Sequence, residues 1–77
     1  MVNINKLKGK IVENNLTVEK LAKSIGIDRA TLYRKINKHG ELITIREADL
    51  IIRELKLSSS EVTDIFFSQY VAWKANT

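Results

Sequence analysis

The twenty residues TVEKLAKSIGIDRATLYRKI, from Thr17 to Ile36, restrict this chain more than any other stretch. Thr17 has the hydroxyl of a good N-cap, and Val18, Leu21, Ala22 and Ile25 follow it at helical spacing. Gly26 then tolerates the left-handed backbone that ends a helix. Asp28 caps a second run, in which Leu32 and Ile36 stand four apart on one face. Two helices that cross steeply need a small residue at their contact, which Ala22 supplies. Ile27, apolar within the turn, needs burial, and with Ile25 it plugs the junction. These are the steric demands of a helix-turn-helix.

The flanks read as further helices. Ile4, Leu7, Ile11 and Val12 form one stripe surrounded by Lys6, Lys8 and Lys10, and Asn14-Asn15 ends it. Asn37-Lys38-His39-Gly40 breaks the third helix. Thr44-Ile45-Arg46-Glu47 is a capping box opening a stripe of Ile45, Ala48, Ile51, Ile52 and Leu55. Residues 42–45 also fit a short strand, although the box favours a loop leading into a helix. Ser58-Ser59-Ser60-Glu61 is a second capping box, with Val62, Ile65, Phe66 and Gln69 along one face behind it. Residues 70–77 fit either a helical extension or a returning strand. The expectation is an all-α, five-helix domain over residues 1–69, with its helix-turn-helix at about 17–37 and a short tail at 70–77. Seventy-seven residues leave no room for a second domain, so an effector or cleavage domain is not expected.

Composition narrows the chemistry. Cys is absent, which excludes a disulfide framework and a Cys-based zinc site. The chain folds on apolar packing alone or gains stability by pairing with a second copy. No apolar run approaches the ~18 residues of a membrane span, and the first residues carry no stretch of signal-peptide length. A soluble, cytoplasmic protein with no membrane partner is therefore expected. The net charge of +4 is unevenly placed: nine basic residues against three acids in residues 1–40, and four against six in residues 41–77. Such asymmetry suggests one face for a polyanion and another, mildly acidic, for a protein.

Leu21-Ala22, Ile25-Gly26-Ile27 and Leu32 stand at the spacing of a known family. Over roughly residues 4–67 the chain resembles the lambda-repressor-like (Cro and xenobiotic-response-element) helix-turn-helix proteins. Leu55-Lys56-Leu57-Ser58 followed by Asp64-Ile65-Phe66-Phe67 looks like the end of small phage-encoded regulators of Gram-positive hosts. The resemblance implies a five-helix DNA-binding domain whose second motif helix enters the major groove of double-stranded operator DNA. With Leu32 and Ile36 on the buried side, Ala30, Arg34 and Asn37 lie opposite, flanked by Thr31 and Tyr33, and Arg29 sits at the helix start, where family members touch bases. Arg can hold guanine O6 and N7, and Asn adenine N6 and N7. Phosphate contacts are expected from the Thr17 end of the preceding helix and from Lys20, Lys23, Lys35 and Lys38. One departure stands out. The family usually has an aliphatic residue three after Leu32, where this chain has Lys35, with Ile36 one later. That shift implies a rotated or overwound second helix.

Other chemistry finds no support. His39 has neither a Cys nor a second His to join it at a metal. Asp49 with Glu54, and Glu61 with Asp64, read as helix-surface and capping carboxylates rather than an acid–base pair. No glycine-rich phosphate loop and no nucleophile beside a base occurs, so no enzyme, cofactor or metal is expected. Four of the five aromatics (Phe66, Phe67, Tyr70 and Trp73) crowd into residues 66–73. Either Phe66 closes the core and the others cover it, or Phe67, Tyr70, Val71 and Trp73 form a self-complementary contact of a homodimer, as paired operator half-sites require. The leading expectation is a phage Cro- or repressor-like transcriptional regulator. Its rivals are an antirepressor or co-regulator that binds a phage repressor protein, and a recombination or excision accessory factor.

Overall fold

The computed structural model describes residues 2–68. They form five α-helices: α1 (Ile4–Glu13), α2 (Val18–Ile25), α3 (Arg29–Asn37), α4 (Ile45–Leu55) and α5 (Ser59–Phe66). Among the described residues there is no strand: residues 42–44 lead into α4, which begins at Ile45. Gln69 and residues 70–77, including Tyr70, Val71 and Trp73, lie outside the described residues.

Each helix starts where a side-chain oxygen meets an otherwise orphaned amide. Asn3 Oδ1 accepts from the Lys6 amide at 3.1 Å, Thr17 Oγ1 from Lys20 at 3.2 Å, and Asp28 Oδ2 from Thr31 at 3.2 Å. Both capping boxes are complete. The Glu47 amide donates to Thr44 Oγ1 at 3.1 Å while Glu47 Oε1 accepts from the Thr44 amide at 2.9 Å, and Glu61 repeats the arrangement with Ser58.

The helix ends share one device. Asn15, Gly26, His39 and Lys56 all adopt positive φ just past α1, α2, α3 and α4. In each case the following amide reaches back five residues: Leu16 to Ile11, Ile27 to Ala22, Gly40 to Lys35 and Leu57 to Ile52. Gly40 answers a second demand. It is buried at φ +75°, and a Cβ there would come within 2.6 Å of the Val2 Cβ.

The core gathers Leu7 and Ile11 from α1, Leu21, Ala22 and Ile25 from α2, Leu32 and Ile36 from α3, Ile51 and Leu55 from α4, and Ile65 from α5. α2 is central, packing on both α3 and α4, while α1 lies against α5. Ala22, fully buried, is the small residue at that crossing, and Ile27 and Phe66 pack on the core from its edge. Two expected stripe members face outward. Val12 is 71% exposed, because the Leu7–Ile11 axis already fills the inward face and the next residue is turned 100° away. Ile45 is 91% exposed, because α4 begins there and reaches the core only at Leu50 and Ile51.

Charge is also paired across the two halves of the chain. Several second-half carboxylates are joined to first-half lysines: Asp64 to Lys6 at 2.9 Å, Glu61 to Lys10, and Glu47 to Lys35 at 2.7 Å. The acids are not one open face, and they select which cations remain unpaired.

Candidate nucleic-acid interface

α3 packs on α2 with Leu32 and Ile36 buried. Ala30, Arg34 and Asn37, four and three residues apart, are all exposed on the opposite stripe. Tyr33 flanks that stripe and is 46% exposed. Thr31 is half-buried, its amide held by the Asp28 cap, so it presents less of its side chain than the sequence suggested. Arg29 is exposed at the first turn, its guanidinium 3.2 Å from the Glu19 carboxylate on α2. An exposed pair of this kind contributes little to stability and is readily exchanged for a phosphate.

α2 brings several of the expected phosphate contacts beside this helix. Thr17 occupies the N-cap, where the free first-turn amides and the helix dipole favour negative charge. Lys20, Lys23, Arg34 and Lys38 are exposed, and none has a carboxylate partner among the described residues.

Lys35 leaves that set. Its ammonium lies 2.7 Å from both oxygens of Glu47, with the two side chains only 13% and 14% exposed. Burial pushes the Glu47 carboxyl up, but the bonds from Lys35 and Thr44 outweigh it and hold the group below its ordinary value. α3 is regular, with Leu32 and Ile36 both inward, because Glu47 gives Lys35 a partner at the edge of the core.

One exposed cation beside the motif that sequence reasoning did not single out is Arg46. It is exposed in the first turn of α4 and lines a shallow groove with Ile25, Gly26, Ile27, Thr44, Glu47 and Leu50, against the turn of the motif. One signal pointed to it: a cation in a helix first turn opposes the macrodipole and calls for another reason to be there.

Among the described residues no group of His, Cys, Asp and Glu could hold a metal ion, and no helix is long and apolar enough to cross a membrane. Phe67, the one described member of the expected dimer contact, is 55% exposed just past α5.

α2, the left-handed turn at Gly26 and α3 together form a helix-turn-helix. The Mga helix-turn-helix domain family matches residues 2–71, and the chain belongs to that family. No curated protein and no solved structure matches the sequence. The family is a DNA-binding regulatory one, in agreement with the motif read from Thr17 to Ile36.

Proposed function

We propose that this chain is a sequence-specific transcriptional regulator that acts as a homodimer on paired half-sites of operator DNA in the cytoplasm. α3 lies in the major groove, where Arg29, Ala30, Thr31, Tyr33, Arg34 and Asn37 meet base edges. Thr17, Lys20, Lys23, Lys38 and Arg46 hold the phosphates on either side. The observation that carries this reading is the exposed Ala30–Arg34–Asn37 stripe, framed by cations that lack carboxylate partners among the described residues. The finer reading, a phage Cro- or repressor-like protein, is supported by the spacing of Leu21-Ala22, Ile25-Gly26-Ile27 and Leu32. Dimerisation through Phe67, Tyr70, Val71 and Trp73 is supported by the exposure of Phe67.

The test is selection from random duplexes at several salt concentrations, with the mass of the protein in solution measured alongside. A two-fold repeated site, a steep salt slope and a dimer mass are expected. The exposed Phe67 also favours a second reading, in which the protein binds a repressor and not DNA alone. Weak DNA binding with no enriched sequence selects that reading.

A further inference from the structure

We propose that Lys35 and Glu47 are a positioning pair for DNA recognition. They fix the roll of α3 against α4, so that the base-facing stripe and the first turn of α4 meet the duplex in one register. The inference rests on the DNA-binding reading above and adds what aligns its two halves.

α3 and α4 each pack on α2. Among the described residues, the only side-chain hydrogen bonds that join α3 to α4 directly are those from the Lys35 ammonium to the two Glu47 oxygens. The same carboxylate accepts from the Thr44 amide at 2.9 Å, so one group closes the cap of α4 and tethers α3. Each end of the tether adjoins a residue of the interface: Arg34 precedes Lys35, and Arg46 precedes Glu47. Successive helical residues are offset by 100°, so holding Lys35 fixes where Arg34 and Asn37 point.

Stability does not explain the pair. Desolvation of two charges this little exposed offsets much of their attraction, and an apolar pair of similar volume often stabilises as well or better. An apolar contact, however, lacks direction. Leu32 and Ile36 set which face of α3 is buried but leave small rolls open, whereas a doubly bonded ammonium narrows them, and readout of base edges needs side chains held to within about 0.5 Å.

The variant that separates these roles is Lys35→Met with Glu47→Gln. Met keeps the length of the lysine, and the Gln carbonyl still accepts from the Thr44 amide, so the cap survives and only the ionic tether goes. The probe is the duplex enriched from the random pool, set against an unrelated duplex at one salt concentration. The double variant is expected to melt within a few degrees of the wild type, yet to lose about tenfold in the ratio of the two affinities. Its salt slope is expected to stay unchanged, because no phosphate contact is removed. Lys35→Arg, which keeps the charge, is expected to retain the ratio. An unchanged ratio in the double variant overturns the positioning role while leaving DNA binding intact. So does a loss that merely follows the unfolded fraction. A wild type that enriches no duplex overturns the DNA-binding reading and this inference together.

Discussion

The ammonium of Lys10 on α1 is bonded to the carboxylate of Glu61 on α5, and that carboxylate also closes the cap of its own helix. The bond from Lys10 is the largest influence on Glu61 and the Ser58 amide the next, and together they pull its carboxyl from 4.5 down to about 2. A group whose folded value lies below its unfolded one favours folding wherever it is charged in both states. That contribution is complete above about 4.5 and is lost as the pH falls toward about 2. Thermal midpoints measured across this window are expected to drop less steeply for Glu61→Gln than for the wild type. Parallel curves would show that the pair has no linkage to folding.

Arg34 stands at the centre of the exposed stripe of α3, without a carboxylate partner among the described residues. Arg34→Ala is expected to cost roughly 1–3 kcal/mol of operator affinity and to relax the preference at one base position. Competition assays with singly substituted operators read this directly. A uniform loss over every sequence would instead make Arg34 a phosphate contact.

Ile45 and Ile51 lie on the same helix in opposite surroundings, one 91% exposed and the other fully buried. Ile45→Ser is expected to change unfolding free energy by no more than about 0.5 kcal/mol. Ile51→Ala removes core volume and is expected to cost about 2–5 kcal/mol, a large share of the stability of so small a domain. Denaturant titration of both variants tests the contrast, and a large effect at Ile45 would mean that residue is covered in solution.

Gly26 and Lys56 occupy the same left-handed position after α2 and α4, at φ +79° and +53°. A Cβ at Gly26 meets nothing within 4 Å, so Gly26→Ala carries backbone strain alone, expected at about 1 kcal/mol. Lys56→Gly relieves such strain and is expected to raise stability by somewhat less than about 1 kcal/mol, since glycine also loosens the unfolded chain. Melting temperatures of the two variants should move in opposite directions. A rise for Gly26→Ala would contradict the left-handed geometry.

What the sequence by itself determined is everything that acts within a few residues. The caps at Thr17, Asp28, Thr44 and Ser58 stand where they were read, because a cap joins a side chain to an amide three positions on. The hinge at Gly26 and the inward faces of Leu21, Ala22, Leu32 and Ile36 follow from backbone freedom and helical period in the same way. Tertiary structure alone decided which lysines remain available to an anion. Lys35 finds Glu47 twelve residues away once α3 and α4 pack on α2, and Lys6 finds Asp64 fifty-eight away once α1 lies against α5. The outward turn of Val12 and Ile45 has the same origin, since only what packs against α1 and α4 decides whether either is covered. Helical period says which residues share a face, but the packing of the other helices sets where that face stops being covered and where the chain must turn back.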